Sequence, residues 1–401
     1  MDPEFLPFHV PNLGEEEIAE VVATLRSGWL TTGPRTAQFE KEFATYVQAP
    51  HAQAVNSCTA GLHLALAALG IGPGDEVITT PLTFCATVNT ILHVGATPVL
   101  ADVDADGNLD PASIAEMLTP RTKALMPVHL AGKPCRMNEI WELARRHNLY
   151  VVEDAAHAAG TRYAGYPIGA GNPRAGYYSD AVAFSFYATK NLTTGEGGMV
   201  TTHRPELYDH MKRLCLHGIN RDAWNRYTAK GNWFYEVSEC GFKYNLSDIQ
   251  SSIGIHQLRK LEGFTERRAE LAAMYEEGFK GVDEVETPVA CSGDSRHAWH
   301  LYMIKLRLEH LAIDRAAFIK ELNSCGIGTS VHFIPIPLHP YYSGSSVLGP
   351  SRWEEANRQY LRSISLPLYP GMMARDVTRV VDSVTNLVHN SRREDVLTRT
   401  A

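Results

Sequence analysis

Apolar positions along this 401-residue chain switch between two periods. Near the N-terminus, Glu15 to Leu25 carries Ile18, Val21, Val22 and Leu25 on one face at helical spacing. Gly28-Trp-Leu-Thr-Thr-Gly-Pro34 then ends that helix with a turn-rich loop that suits either a connector or a polar ligand. From Ala52 onward, short continuous apolar runs alternate with longer helical patterns. Runs at 52–56, 76–80, 97–102, 124–129, 149–154, 181–186 and 199–202 predict strands. The stretches 57–69, 84–92, 111–118 and 137–146 between them predict helices, the first opening on the cap-like Ser57. A βαβ succession with strands apolar on both faces predicts an α/β fold: a mostly parallel sheet covered on both sides. In such sheets ligands gather at the carboxyl ends of the strands.

Past the last of these strands the pattern changes. A helix is predicted at 205–215, a polar, aromatic and irregular loop at 217–239, and a helix at 245–261 that runs into a charged helical stretch at 265–279. The remainder mixes strands (298–306, 330–333) with helices (315–325, 353–364, 374–388). The expected organisation is a lead-in and helix at 1–35, a large α/β domain at 36–262 and a smaller α+β domain at 263–401.

Composition narrows the function classes. A formal charge of −8 gives no support for a nucleic-acid or anionic-membrane partner. No apolar run has the length of a membrane span, and the N-terminus lacks a basic-then-apolar signal pattern. Met1 to Phe5 reads partly as a cloning remnant and is left out of the fold argument. The seven scattered cysteines include no C-x-x-C pair, which fits a reducing cytoplasm better than a disulfide framework or zinc site. His297 and His300 stand three apart without a carboxylate, so strand packing is favoured over a metal site and no metal is expected.

The chemistry is concentrated at three predicted strand ends. Lys190 lies just past the strand at 181–186, before the glycine-rich Thr194-Gly-Glu-Gly-Gly198. A lysine buried there has a depressed pKa and an amine able to attack a carbonyl; a solvent-facing loop lysine is the plain alternative. Asp154 ends another buried strand, where a carboxylate costs several kcal/mol unless a cation meets it. That cation is either a neighbouring Arg or a protonated pyridine nitrogen. Ser57-Cys58-Thr59-Ala60-Gly61 turns a strand into a helix, an ordinary cap or a phosphate cradle, though without the ending of a nucleotide P-loop. Ser185 is placed to reach a phosphate and Phe84 to stack on a ring. Taken together, a phosphate turn, an acid, a lysine and an aromatic in this order argue for pyridoxal 5'-phosphate.

The chain also resembles a known family. The motifs S-F-Y-A-T-K-N-L-T-T-G-E-G-G around Lys190, E-D-A-A-H-A at 153–158, G-F-K-Y-N-L-S-D at 241–248 and G-W-L-T-T-G-P at 28–34 are similar to those of the DegT/DnrJ/StrS sugar aminotransferases. The resemblance runs from about Leu6 to Val388. It implies a fold type I, aspartate-aminotransferase-like homodimer with shared active sites, acting on nucleotide-linked keto sugars with glutamate as donor. Lys190 would hold the cofactor and shuttle the proton, in a ping-pong cycle through pyridoxamine phosphate. Asp154 would bind the pyridine nitrogen, His157 would lie near the phenolic oxygen, and Phe84 would stack on the ring. Cys58, Thr59, Ala60 and Ser185 would surround the cofactor and its phosphate, with Asn245 arriving from the other subunit. Thr31, Tyr187 and His332 are the candidate substrate contacts.

Within the family, F-L-P-F at 5–8, R-H-A-W-H at 296–300, G-I-G-T-S-V-H-F at 326–333 and L-P-L-Y-P at 366–370 resemble the branch that aminates UDP-4-keto-pentose to give UDP-4-amino-4-deoxy-L-arabinose for lipid A. Phe84 and Cys240 depart from the Trp and Pro usual there, and 170–178 is longer than that pattern. Branches acting on 4-keto-6-deoxyhexoses carry similar motifs. Lysine at 190 argues against the dehydratases that bear histidine there, and no DNA-binding motif supports a non-catalytic regulatory binder of the cofactor.

Overall fold

The computed structural model describes residues 5–219, 235–343, 348 and 353–393, so most of the expected loop at 217–239 lies outside the described residues. Two helices come first, α1 (Glu15–Ser27) and α2 (Pro34–Tyr46). The alternating part follows: β1 (His51–Val55), α3 (Cys58–Ala68), β2 (Glu76–Thr79), α4 (Cys85–His93), β3 (Thr97–Leu100), α5 (Pro111–Met117), β4 (Thr122–Leu125), α6 (Met137–His147) and β5 (Tyr150–Asp154). A short ribbon, β6 (Arg162–Tyr163) with β7 (Tyr166–Pro167), precedes β8 (Ala181–Ser185), β9 (Gly198–Thr202) and α7 (Pro205–Cys215).

The seven long strands form one sheet in the order β1-β9-β8-β5-β4-β2-β3. The ladder from β3 through β2, β4 and β5 to β8 is parallel throughout, while β9 runs antiparallel to both β8 and β1. The sheet is therefore mostly parallel, as expected. Its interior strands are buried on both faces; β8 is buried at every position. Helix α3 is buried along almost its whole length and packs against β8, β9 and β5, which explains its uniformly apolar sequence.

Three expectations are revised. The 31-residue α8 (Asp248–Gly278) runs unbroken through the stretch where the boundary was expected, so the division after Glu262 falls inside it. Ser247 caps it: its Oγ meets the Gln250 amide while the Gln250 side chain answers the Ser247 N–H. The remaining elements are β10 (Val285–Glu286), β11 (Tyr302–Leu306), α9 (Arg315–Ser324), α10 (Glu354–Arg362), β12 (Ser363–Leu366) and α11 (Ala374–Asn390). Here β12, not 330–333, pairs with β11 in the small sheet β10-β11-β12; Ser330 contributes only one bridge, to Ser365. Leu271, Tyr275, Tyr302, Phe318 and Val380 share the core of this part, so the second half of α8 belongs to it.

The third revision concerns α1. Its apolar face looks outward, leaving Ile18, Val22 and Leu25 exposed, while Glu17 and Thr24 are buried against α8. Polar pairing replaces apolar packing there: Thr24 bonds Ser252, and Glu17 meets Gln257 and Lys260.

Candidate active site

The carboxyl ends of β5 and β8 and the amino end of α3 open on one cavity of about 490 Å³. Nine residues expected to serve the site line it: Cys58, Thr59, Phe84, Asp154, His157, Ser185, Tyr187, Lys190 and His332. They come from five short stretches spread over 275 residues of chain, and the sheet order is what gathers them. Three expected residues lie elsewhere. Ala60 sits inside α3, its N–H taken by Ser57 Oγ at 3.1 Å. Thr31 is exposed, with its carbonyl accepting from Asp248 N. Asn245 donates to Thr32 Oγ1 at 2.6 Å, and neither residue lines the cavity.

Asp154 is buried at the β5 terminus. Thr87 Oγ1 donates to its Oδ2 at 2.8 Å and Ala156 N to its Oδ1 at 3.1 Å. It takes part in no ion pair among the described residues. Burial pushes its pKa up, and those two hydrogen bonds, with the nearby Lys190 and His129, offset only part of the shift. A carboxylate held in this way is short of a cation.

Lys190 follows the turn after β8, its N–H closing on Tyr187 O at 2.9 Å. Its side chain touches the cavity, yet protein encloses it enough that burial lowers its pKa to about 8, against the opposing pull of Cys58 and Asp154. It is the one Lys or Arg in the described lining. The Cys58 thiol, pushed well up by burial and by the Asp154 charge, is neutral.

At the amino end of α3 the Cys58 and Thr59 N–H groups have no partner among the described residues. The Thr59 and Ser185 hydroxyls stand in the same wall. Gly198 keeps the cradle open, because a Cβ there would lie 2.7 Å from Cys58 N. Free amides at a helix start suit a phosphate.

Histidines complete the floor. Ala131 N donates to His157 Nδ1 at 3.2 Å, so the ring carries its proton on Nε2 and offers a donor to the cavity. Burial holds His157 and His300 well below the ordinary range and brings His332 and His9 to about 4. His300, His9, Glu196 and Phe333 line the cavity without having been singled out as site residues. His300, Glu196 and Phe333 carried a sequence signal, in the R-H-A-W-H, T-T-G-E-G-G and G-I-G-T-S-V-H-F motifs; His9 carried none. Segment 170–178 lines no part of the cavity: Tyr177 stacks on Trp141 of α6.

Behind β5, the neighbouring Glu153 is locked on both oxygens. His129 donates from Nε2 at 2.7 Å, with its Nδ1 accepting from Cys135 N, and Ser179 Oγ donates at 2.5 Å. Trp141 Nε1 in turn donates to Ser179. This buried network fixes the strand end that presents Asp154.

A sheet of this order, with an amine and an uncompensated acid at adjoining strand ends, defines a fold type I pyridoxal-phosphate transferase. The chain belongs to the DegT/DnrJ/EryC1/StrS aminotransferase family, which it matches over residues 11–385. It is 50% identical over 386 residues to the spore coat polysaccharide biosynthesis protein SpsC of Bacillus subtilis, covering 96% of this chain and 97% of that one. Among solved structures it is similar to Helicobacter pylori PseC, an aminotransferase involved in the biosynthesis of pseudoaminic acid. That likeness has a TM-score of 0.87 at 30% identity, over 97% of this chain and 100% of PseC. Spr1654 of Streptococcus pneumoniae, solved in PLP and PMP forms, matches at 32% identity over 96% of this chain and 99% of its own, with TM-scores of 0.86 and 0.87. The family is pyridoxal-phosphate dependent, and its members transfer amino groups on sugars. The residues present fit that cofactor: a buried acid lacking a cation, an amine near neutrality and an amide cradle lacking an anion. Among the described residues no helix is long and apolar enough to cross a membrane, and no cluster could hold a metal ion.

Proposed function

We propose that the protein moves an amino group from glutamate to the 4-keto carbon of a nucleotide-linked sugar. The observation that carries this reading is the pairing, in one cavity, of the Lys190 amine with the cation-deficient Asp154. Asp154 would hold a protonated pyridine nitrogen, Thr59, Ser185 and the free amides of α3 a phosphate, and Phe84 a ring face. When bound, pyridoxal phosphate supplies a sink for the electron pair left by proton removal. Lys190 Nζ removes the proton from the donor's α-carbon in one half-reaction and delivers one to the sugar carbon in the other. The His157 Nε2–H would donate to the cofactor's phenolic oxygen and steady its charge.

The site is completed by a second copy of the chain. The outward apolar face of α1, the half-exposed Phe84 and the position of Asn245 outside this protomer's cavity all support a homodimer with shared sites.

For the sugar, the motifs shared with the arabinose branch favour UDP-4-keto-pentose. A second reading is a 4-keto-6-deoxyhexose, and the likeness to the spore coat polysaccharide biosynthesis protein SpsC supports a product destined for a surface polysaccharide. The deciding experiment starts from the pyridoxal form and adds UDP-, dTDP- and GDP-linked amino sugars, following loss of cofactor absorbance. UDP-4-amino-4-deoxy-L-arabinose is the expected hit. Bleaching by glutamate but by no sugar would refute the substrate reading, and bleaching by neither would refute the role of Lys190.

A further inference from the structure

Two histidines stand three residues apart at 297 and 300, and the fold treats them in opposite ways. His297 faces its own loop: Trp299 N donates to its Nδ1 at 2.8 Å, and the two rings stack 4.1 Å apart at 3°. That is packing. His300 is turned to the cavity.

Its orientation is fixed by Asn191, the residue that follows Lys190. The Asn191 Nδ2 donates to Ala298 O at 2.8 Å and to Ala159 O at 3.4 Å, so the amide oxygen faces the other way. That oxygen meets His300 Nδ1 at 3.1 Å and must accept from it. His300 therefore carries its proton on Nδ1 and has a bare lone pair on Nε2. The Nε2 atom has no partner among the described residues, yet it is absent from the orphaned atoms sealed inside the protein. It keeps access to the cavity. The ring lies 4.3 Å from that of His157, whose assignment is the reverse, with Nε2 carrying the hydrogen. Side by side, the two rings offer an acceptor and a donor. Burial above all keeps a second proton off His300, and the nearby Lys190 and buried Arg268 charges oppose it further. The acceptor thus survives across the neutral range.

Resting on the sugar reading above, we propose that His300 is a substrate-contacting residue, its bare Nε2 accepting a hydrogen bond from a hydroxyl of the bound sugar. A sugar hydroxyl can donate to that lone pair, whereas a keto or carboxylate oxygen, which cannot donate, finds no partner on His300.

Two variants separate this role from simple packing. In H300N the amide nitrogen replaces Nδ1, keeping the bond to Asn191 and removing the cavity acceptor. In H300Q the amide oxygen replaces Nε2, keeping the acceptor and losing the Asn191 bond. The wild type and both variants would be followed through each half-reaction by cofactor absorbance, with thermal melting alongside. The expected result is a roughly tenfold loss of sugar efficiency in H300N, as for one missing hydrogen bond, at least fivefold greater than its loss with glutamate. H300Q should recover most of the loss. H300Q falling as far as H300N, or equal loss in both half-reactions, would overturn the inference and leave the substrate reading standing. A wild type bleached by glutamate and by no sugar would overturn both.

Discussion

Thr87 Oγ1 donates to Asp154 Oδ2 at 2.8 Å, and this contact between α4 and the end of β5 is among the few things holding the carboxylate in place. Thr83 Oγ1 lies 2.7 Å from Thr87 Oγ1 and extends the chain of hydroxyls. Two neutral donors do not neutralise a buried charge. Asp154 therefore binds a proton more readily folded than unfolded, so the cofactor-free protein loses stability as pH rises from the ordinary carboxylate range toward neutrality. The substitution D154N should raise the melting temperature of the apoprotein at pH 7 and flatten that dependence. It should also lower aminotransferase turnover by about 10²-fold or more, because an amide cannot hold a protonated ring nitrogen. Melting curves of apo and loaded forms across pH check both statements. An apoprotein destabilised by D154N would show that Asp154 already has its counter-charge.

Lys190 sets a second pH dependence. With its pKa brought down to about 8, the amine becomes the majority form only above that value. The rate at which apoprotein captures pyridoxal phosphate should rise with pH through about 8 and level off, followed at the cofactor's absorbance. K190R should abolish covalent capture, since a guanidinium stays protonated throughout.

Asp248 holds the loop that leads to α2. Its Oδ1 accepts from Gly33 N, Thr36 N and Thr36 Oγ1, and its Oδ2 from Arg35 N, all between 2.8 and 3.1 Å. The N-terminal amides of one helix are thus closed by a buried acid from another. D248A should cost about 2–4 kcal/mol, several charge-assisted bonds being lost at once. The denaturant midpoint measures it, and a loss under 1 kcal/mol would contradict the count.

Gly254 lets α8 pack closely on α2 at Phe39. A Cβ there would meet the Phe39 ring at 2.6 Å, and Phe39 is fully buried among Phe43 and Phe186. G254A should destabilise by about 1–3 kcal/mol through overpacking, although alanine is the better helix former. The double variant G254A/F39L should recover part of that loss.

The chemistry at the strand ends was legible because residue type and position agreed. Lys190, Asp154 and Ser57 each close or open an element whose apolar pattern was unambiguous, and the motifs around them are specific. The expected α/β sheet, the cap at Ser57 and the end of β5 at Asp154 all stand in the structure. Three further cavity residues on irregular chain had no role read for them. His9, Glu196 and Phe333 reach the cavity from loops, where no period announces which way a side chain faces.

What the sequence by itself determined, then, was the elements of the large sheet and the chemical identity of the site, because strand periodicity and residue chemistry are local properties. The tertiary structure alone decided which face of α1 is buried, since Thr24 and Glu17 find polar partners on α8 that no local pattern encodes. It alone decided where α8 packs, its first half lying on α1 and α2 and its second half in the core of the smaller part. It also gave His300 and His157 opposite protonation, since a histidine's tautomer is set by whichever group lies beside it in space.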